Sequence, residues 1–323
     1  MSHSATAATP VVHTLYGETM GTRWRVDLCT APHAPLDPLH AAVQRRLDAS
    51  VAQMSTWEPD SDISRFNRAP AGSALPLPGD FFRVMDAALQ VARASGGAFD
   101  PAIGAVVAAW GFGARGQGSG RLPDATILAS ARQASGWRRL RLDRDARVLH
   151  QPGGLALDLS AIAKGHGVDA VVELLQNHGI TAALVDVGGE LRGFGHKPDG
   201  TPWRVLVETG DADGDEAPCV LVLDGVAVAT SGPRWHRFEA GGRSFAHTID
   251  PRRGAPVDDA PAAVSVIDPL AMRADAWSTA LGAMGTGDGF DFALAHGLAA
   301  RIVPAIAGAG IRMTPAFEAR LAR

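Results

Sequence analysis

Short stretches of alternating apolar and polar residues occur at several places along the chain, and this period of two is typical of β-strands. Residues 11–16 and 24–29 alternate on either side of a turn that holds Met20, Gly21 and Thr22, and therefore predict a hairpin. Further strands are predicted at residues 140–143, 148–151, 183–187, 203–208, 220–223, 226–230 and 245–249. The chain is thus rich in strands along most of its length.

Other stretches repeat their apolar residues with the helical period of about 3.6. One helix is predicted to begin at Asp37, with Pro38 in its first turn. Its apolar stripe comprises Leu39, Val43, Leu47, Val51 and Met54. Asp80 is predicted to cap a second helix, and Gly179 to end a third one. Because helices and strands do not alternate as in a βαβ array, we expect one compact α+β unit with mixed sheets and flanking helices, in two lobes.

The stretch from Leu157 to Asp169 carries the first candidate chemistry. A predicted buried apolar strand passes into a turn with Lys164 and then into a helix that has Gly165 and Gly167 near its start. The N-terminus of a helix presents free backbone N–H groups and a partial positive charge, and glycines let a ligand approach the backbone, so this stretch suits a phosphate. The alternative is an ordinary strand-turn-helix connection with one lysine.

Two further stretches hold candidate side chains. His247 lies in the strand predicted at 245–249, where a histidine either exchanges a proton near neutral pH or serves the structure alone. Asp275, Ser278 and Thr279 share one face if residues 273–281 are helical. Their oxygens suit a hard cation such as Mg²⁺, which also takes water and phosphate oxygens. The alternative is that Asp275 caps the N-terminus of its helix.

These three stretches and five others, in one order along the chain, resemble the ApbE family, the FAD:protein FMN transferases. The other five are residues 20–22, 55–67, 97–101, 186–190 and 229–232. Several motifs in one order are far more specific than a single glycine pattern. The resemblance implies an α+β fold related to the T-fold, with two lobes around a central flavin cleft. It also implies a single domain over residues 13–317, between a disordered segment, 1–12, and a C-terminal tail, 318–323.

The same resemblance implies an activity and a set of site residues. The activity is transfer of the FMN half of FAD onto a Ser or Thr hydroxyl of a target protein, with release of AMP. FAD is then the substrate and Mg²⁺ the cofactor, and His247 is the candidate base for the hydroxyl. The implied ligands of Mg²⁺ are Asp275, Ser278, Thr279 and the backbone carbonyl of Ala161. The implied contacts of FAD are Met20, Trp57, Ala98, Phe99, Asp100, Asp158, Lys164 and Ile249.

Three residues depart from the pattern of the resembled family. Trp57 stands where Tyr is frequent, and its indole keeps a stacking face without the hydroxyl. Ser278 stands where some relatives place Asp, which removes a formal charge from the implied metal site. His166 replaces an aromatic residue, and the sequence leaves the direction of its effect on ligand access open. For Lys164 and Asp158, the alternative to contacting FAD is a mutual salt bridge.

Composition and charge narrow the class of protein. With 323 residues and a hydrophobic content of 46%, the chain has enough material for one large or two medium domains. Its net charge of −4 indicates neither a nucleic-acid surface nor a polybasic membrane patch, and no run of eighteen apolar residues occurs. Cys29 and Cys219 are expected to be reduced and partly buried. Since residues 1–10 do not resemble a signal peptide, we expect the cytoplasm, or the periplasm if a leader was removed.

Two other functions fit the same residues. In an FAD pyrophosphatase that depends on Mg²⁺, water replaces the protein hydroxyl, and the products are free FMN and AMP. A noncatalytic carrier binds FAD without cleaving it, although His247 and Asp275 argue against this function. For a transferase, we expect the acceptor to be a redox protein with a short Ser/Thr flavinylation motif, whose identity this sequence does not give.

Overall fold

The computed structural model describes residues 9–114, 122–207, 219–232, 237–240, 243–246, 248–306 and 308–322. Within these ranges the helices are α1 (Asp37–Met54), α2 (Asp62–Arg68), α3 (Gly79–Ala94), α4 (Gly104–Ala109), α5 (Ala125–Ala134), α6 (Ala163–Asn177), α7 (Ala271–Met284), α8 (Thr286–Ala295) and α9 (Pro315–Glu318). The strands are β1 (Val11–Thr19), β2 (Thr22–Thr30), β3 (Ala74–Pro76), β4 (Arg141–Asp143), β5 (Val148–His150), β6 (Ala183–Val187), β7 (Glu190–Phe194), β8 (Trp203–Val207), β9 (Cys219–Leu223), β10 (Val226–Ser231), β11 (Arg237–Ala240), β12 (Arg243–Ala246), β13 (Ile249–Asp250), β14 (Ala255–Pro256), β15 (Ala263–Asp268), β16 (Ala299–Val303) and β17 (Arg312–Met313). The predicted α+β class is confirmed.

In the described ranges, the main sheet has eight strands in the order β1-β2-β6-β7-β10-β15-β16-β17. Each of them runs antiparallel to its neighbours. Trp24 of β2 is paired with Val187 of β6, and Val187 is paired with Glu190 of β7. The β1–β2 turn and the β6–β7 turn therefore lie at the same end of the sheet, beside each other.

The predicted hairpin at the start of the chain is confirmed. Thr19 pairs with Thr22, so Met20 and Gly21 alone form the turn, and their φ angles are 50° and 70°. Two successive positive φ angles are typical of a type I′ turn, which matches the twist of the two strands. Glycine adopts this conformation readily, whereas methionine seldom does, so Met20 is held in an uncommon conformation.

Helices α1, α6 and α7 pack on one face of the main sheet. Leu39, Val43 and Leu47 of α1 are buried against α6 and the first two strands, as their predicted stripe requires. Helix α7 lies over β10 and β15 and also contacts α3 and α8. It buries almost all of its residues, which explains why its sequence has no clear polar face.

The opposite face of the sheet is partly covered by the β8–β9 hairpin and α9. In β10, Val226 and Val228 join the cluster on this side, while Ala227 between them joins the cluster under α1 and α6. Alternate residues of a strand point to opposite faces, so a strand covered on both faces reads as a continuous apolar run. This explains the uninterrupted apolar sequence of residues 226–229.

Some sequence expectations differ from the structure. Asp80 does not cap α3, since the N-cap residue is Pro78 and the Asp80 carboxylate instead accepts hydrogen bonds of 2.7 and 2.9 Å from Arg46. The strand predicted at the start of the Leu157–Asp169 stretch is absent: Leu157 and Leu159 are buried but belong to no strand. Residues 11 and 12, expected to be disordered, belong to β1, whereas residues 1–8, residue 208 and His247 lie outside the described residues. None of the described helices is both long and apolar enough to cross a bilayer.

Candidate active site

Helices α6 and α7 meet where Gly165 lies against Ala271. A Cβ atom on Gly165 would lie 2.3 Å from the Ala271 carbonyl oxygen, so this approach requires glycine. One turn further along α7, the Asp275 carboxylate accepts a hydrogen bond of 3.1 Å from the backbone N–H of Gly165. Asp275 lies inside α7, so the alternative that it caps its own helix is wrong. Its carboxylate instead faces the N-terminus of α6, where a negative charge is favourable.

Asp169 of α6 fixes the start of α7. Its carboxylate accepts hydrogen bonds of 3.0 Å from the backbone N–H groups of Ala271 and Met272. The guanidinium of Arg192 donates to the same carboxylate at 2.7 Å. Burial raises the pKa of Asp169, and these three donors oppose that rise. Since free N–H groups at a helix start need partners, Asp169 acts as a cap supplied by a neighbouring helix and sets where Asp275 lies.

Lys164, which is half-buried, forms an ion pair with the buried Glu190 beside Asp275. The Lys164 Nζ atom lies 2.5 Å from Glu190 Oε1, and Glu190 is 2% exposed. Burial alone would lower the pKa of Lys164, but the charges of Glu190 and Asp275 raise it above its usual value. Burial raises the pKa of both carboxyl groups, against the opposing charge of Lys164. One cation and two acids thus share a single buried region.

Two turns at the end of the sheet adjoin this group. A Cβ atom on Gly167 would lie 3.4 Å from Met20 Cε, so the Met20 side chain packs against the start of α6. Gly188 has a φ of 62°, and a Cβ atom there would lie 2.7 Å from Thr22. The β6–β7 turn therefore packs closely on the β1–β2 turn. This packing places Met20 and Glu190 on the same side of α6.

The donor set predicted for Mg²⁺ lies on α7 and just before α6. Asp275 is buried, whereas Thr279, one turn later, and Ala161, two residues before α6, are half-buried. The Ser278 hydroxyl donates a hydrogen bond of 2.8 Å to the Asp275 carbonyl, so it is engaged within its own helix. Oxygen donors of these kinds fit a hard cation, which would also offset the excess of acid in the region.

Among the described residues, His, Cys, Asp and Glu side chains are not grouped around this donor set. In the described part of the chain, no three His, Cys, Asp or Glu side chains are arranged to hold a metal ion. A cation at Asp275 would therefore depend on hydroxyl, carbonyl and water or substrate oxygens for its other ligands, as Mg²⁺ commonly does.

Asp158 lies between α6 and the segment that holds residues 97–101. Its carboxylate accepts hydrogen bonds from the N–H of Ser160 at 2.9 Å and from its hydroxyl at 2.6 Å. The structure places Lys164 against Glu190 rather than Asp158, so the alternative of a salt bridge between Lys164 and Asp158 is wrong. The Asp158 backbone N–H donates to the Pro101 carbonyl at 2.9 Å, which ties the two segments together.

A cleft adjoins Asp158. It is lined by Thr56, Ser64, Asn67, Gly104, Val107, Ala108, Phe112, Gly113, Ala114, Ala156, Leu157 and Asp158. Trp57, the residue after Thr56, is 71% exposed. An exposed indole has a free face for stacking on an aromatic ligand.

The three predicted FAD contacts at residues 98–100 are well packed in the structure. Ala98 and Phe99 are buried, and the Asp100 carboxylate accepts hydrogen bonds from the N–H groups of Ala102 at 2.8 Å and Trp137 at 3.0 Å. Burial raises the pKa of Asp100 to about 6, although these two N–H groups oppose the rise. All three residues thus shape the loop itself, and their contact with FAD stays a prediction.

The two remaining predicted residues lie near α4 or outside the described ranges. Ile249 is buried and packs with Val106 and Trp110. The Trp110 indole N–H donates to the Gly254 carbonyl at 3.0 Å, which joins α4 to the turn after β13. His247 lies outside the described residues, and its role as a base stays a prediction.

The structure brings Met20, Lys164 and Asp275 together at the start of α6. Sequence reasoning assigned no role to Glu190 or Asp169, although both stand in the motifs that it singled out. For Glu190 the available signal was an acid directly after two glycines, at the start of a strand. Its partner is 26 residues away along the chain, so no local spacing rule could have paired the two.

A family model described as the ApbE family matches residues 20–302. Among curated proteins, the FAD:protein FMN transferase of Klebsiella pneumoniae (strain 342) is 33% identical over 274 residues, which cover 84% of this chain and 78% of the relative. The FAD:protein FMN transferase of Salmonella typhimurium is 30% identical over 318 residues, which cover 97% of this chain and 90% of the relative. The chain therefore belongs to the ApbE family.

Solved structures agree with this assignment. The flavinyl transferase ApbE of Pseudomonas stutzeri, in its apo form, superposes with a TM-score of 0.88 at 37% identity, covering 96% of this chain and 97% of that one. The flavin transferase ApbE of Vibrio cholerae superposes with a TM-score of 0.87 at 30% identity, covering 97% of this chain and 100% of that one. The expected ApbE-like fold is confirmed.

Proposed function

We propose that this chain is a Mg²⁺-dependent FAD:protein FMN transferase, which moves the FMN moiety of FAD onto a Ser or Thr hydroxyl of a redox protein and releases AMP. The names of its relatives support the flavin-transfer part of this proposal. For this chain, the observation that carries it is the hydrogen bond between Asp275 and Gly165, beside the half-buried side chain of Lys164. This group puts a potential cation ligand and a positive charge at one helix start.

The proposed reaction breaks one bond of the FAD diphosphate and forms another. The acceptor hydroxyl attacks the phosphorus of the FMN phosphate, the bond to the bridging oxygen breaks, and AMP leaves with that oxygen. The hydroxyl proton passes to a base. Such a transfer needs neutralised phosphate charge, an aligned nucleophile and a group that accepts the proton.

The residues at the start of α6 suit the diphosphate. Lys164 supplies a positive charge, and the helix start adds its partial positive charge. Asp275, the Thr279 hydroxyl and the Ala161 carbonyl would hold Mg²⁺, which when bound neutralises phosphate charge. Because Asp275 also binds the Gly165 N–H, the proposed cation ligand is fixed relative to the helix start.

Two further roles complete the proposal. His247 is the proposed base for the acceptor hydroxyl, and a positioned base typically contributes about 10²–10⁴ in rate. Trp57 is proposed to stack on an aromatic ring of FAD, for which its exposure leaves a face free. Neither role involves binding the cation, so loss of His247 is expected to leave FAD binding intact.

Mass spectrometry of acceptors tests the proposal. The purified chain is incubated with FAD, Mg²⁺ and candidate redox proteins that carry a Ser/Thr motif, and AMP is measured in parallel. We expect a candidate to gain one FMN mass while AMP appears. Both signals should nearly vanish for His247→Ala and Asp275→Asn, whereas Asp291→Asn, which changes an exposed acid on α8, should match the parent chain.

The same experiment distinguishes the alternative functions. AMP together with free FMN, whether or not a candidate is present, would indicate an FAD pyrophosphatase. Absence of AMP at saturating FAD and Mg²⁺, with every candidate, would indicate a carrier. Unchanged labelling by Asp275→Asn would mean that the metal assignment is wrong even if the transferase activity is real.

A further inference from the structure

Glu190 is a buried acid to which the proposed reaction assigns no role. It is the first residue of β7 and is 2% exposed. Its Oε1 atom accepts a hydrogen bond from Lys164, while its Oε2 atom is buried without a hydrogen-bond partner among the described residues. An acid at this position is costly, because burial disfavours its charged form and Oε2 makes no hydrogen bond with a described residue that would compensate.

The local backbone is built to place this acid. Gly188 and Gly189, which precede it, have φ angles of 62° and 98°, a conformation that residues with side chains seldom adopt. The Gly189 N–H is fixed by the Asp186 carboxylate at 2.9 Å, and Gly188 packs too closely on Thr22 for a side chain. These contacts fix the turn from which the Glu190 side chain projects towards Lys164.

Lys164, by contrast, has a long flexible side chain. The rotatable bonds of its four-carbon side chain let the ammonium occupy many positions, and fixing it in one of them costs side-chain entropy. In the part of the chain that the structure describes, the hydrogen bond to Glu190 is what holds this ammonium. The other nearby acid, Asp275, directs its own hydrogen bond to the Gly165 N–H.

We propose that Glu190 is a positioning residue, which holds the Lys164 ammonium where it meets the phosphates of FAD during transfer. This inference rests on the proposed function, because it gives Lys164 that role. A buried pair that served stability alone could be replaced by well-packed apolar side chains at little cost. A pair that positions the ammonium cannot, because a displacement of about 1 Å at a reacting group costs roughly 100-fold in rate.

Substitutions of Glu190 should separate turnover from FAD binding. We expect Glu190→Ala to lower kcat by about 10- to 100-fold, since Lys164 is no longer held. KM for FAD should not rise, because the ammonium remains and an acid that competes with phosphate is gone. Glu190→Gln keeps an oxygen that can accept from Lys164, so it should recover part of the lost kcat.

A double-mutant cycle tests whether Glu190 acts through Lys164. The kcat and KM for FAD are measured with Mg²⁺ and an acceptor found by FMN labelling, for Lys164→Met, Glu190→Ala and the double variant. We expect the double variant to have the kcat of Lys164→Met, because Glu190 has nothing left to hold. Glu173→Ala is the matched control. Glu173 lies on α6, the helix of Lys164, and forms an exposed ion pair with Arg83.

The outcomes separate this inference from the proposed function. If the parent chain labels no acceptor, the proposed function fails and the role of Glu190 fails with it. If the parent chain labels an acceptor, three results would overturn the inference while leaving the proposed function intact. They are an unchanged kcat in Glu190→Ala, a rise in its KM without a fall in kcat, and an equal effect of Glu190→Ala on kcat with and without Lys164. If Glu190→Ala does not fold, Glu190→Gln takes its place, and its effect on kcat is measured both in the parent chain and in Lys164→Met. A loss of kcat in the parent chain alone supports the inference, and equal effects in the two overturn it.

Discussion

Gly165 and Ala271 are in contact through their backbones, with no room for a side chain between them. A Cβ atom on Gly165 would lie 2.3 Å from the Ala271 carbonyl oxygen and 2.6 Å from Met272 Cα. These are backbone atoms, which cannot move aside as the end of a flexible side chain can. Because Gly165 has no side chain, α6 and α7 approach closely enough for the Asp275 carboxylate to reach the start of α6.

Gly165→Ala should therefore damage both the fold and the site. Overpacking of this kind typically costs 1–3 kcal/mol, and here the two helices must separate, which weakens the hydrogen bond between Gly165 and Asp275. We expect a loss of about 2 kcal/mol or more in the free energy of unfolding, and loss of FMN transfer. Denaturant unfolding and mass spectrometry measure the two effects.

Gly287→Ala is the matched control for this change. Gly287 lies in α8, and a Cβ atom there would meet nothing within 4 Å. The substitution should raise stability by about 0.5–1 kcal/mol, because alanine favours the helix. If Gly165→Ala behaved like this control, the close contact between α6 and α7 would not matter.

Asp169→Asn should loosen the start of α7. An amide offers one acceptor oxygen in place of two, so either the N–H of Met272, or both the N–H of Ala271 and the Arg192 guanidinium, lose their acceptor. We expect the free energy of unfolding to fall by about 2–4 kcal/mol, which denaturant titration measures. Glu173→Gln removes an exposed ion pair from the same helix and should cost at most about 1 kcal/mol. Equal losses for the two variants would contradict the capping role of Asp169.

Met20→Asn should separate stability from ligand binding. Asparagine is favoured at the φ of 50° that Met20 adopts, so the turn should keep its stability within about 1 kcal/mol. The packing of methionine on α6 is lost, and we expect FAD to bind roughly tenfold more weakly, as a fluorescence titration would show. Arg147 also has a positive φ, 52°, in a distant turn, so Arg147→Asn is the control and should leave FAD binding unchanged.

His166 should make the chain less stable in mild acid. Burial lowers the pKa of His166 to about 4, although the neighbouring Asp80 charge opposes this, and neither ring nitrogen has a hydrogen-bond partner among the described residues. The charged groups that act on it are Asp80, Arg46, Arg83 and Glu173. An ordinary histidine titrates near pH 6.5, so between about pH 6.5 and 4 the unfolded chain binds a proton that the folded chain does not. Above pH 6.5 this difference in proton binding has no effect, and the free energy of unfolding falls as the pH falls from 6.5 towards 4.

His166→Phe removes that titration. The variant should gain stability relative to the parent as the pH falls from 7.5 to 4.5, by roughly 2 kcal/mol. Denaturant unfolding at both pH values measures this difference. Parallel pH profiles for the two proteins would show that His166 is not held neutral by its buried position.

The elements that could be predicted are those whose signals are local. The hairpin at Met20 and helix α1 follow from alternation and from an apolar stripe, and both lie where the sequence places them. The apolar start of the Leu157–Asp169 stretch predicts a buried strand, yet Leu157 and Leu159 are buried without belonging to a strand. An apolar run indicates burial, whereas strand pairing depends on which neighbour is available, and the sequence does not give this.

The site could be predicted in part. The family resemblance pointed to Lys164 and Asp275, which do lie together, but the partners of these residues were not foreseen. Asp80 was expected to cap a helix and instead binds Arg46, 34 residues away. Cap signals are local, whereas the choice of an ion-pair partner depends on how distant helices pack, so charged residues are where sequence reasoning failed most.

The hydrogen bond between Gly165 and Asp275 joins residues that are 110 positions apart. The two residues meet only where α6 and α7 pack together, so a fragment or a partly folded chain can form its helices without forming this hydrogen bond. A ligand that binds only the native chain shifts the folding equilibrium towards the native state, and more so as its concentration rises. Under the proposed function FAD is such a ligand, so FAD would protect the native chain against unfolding.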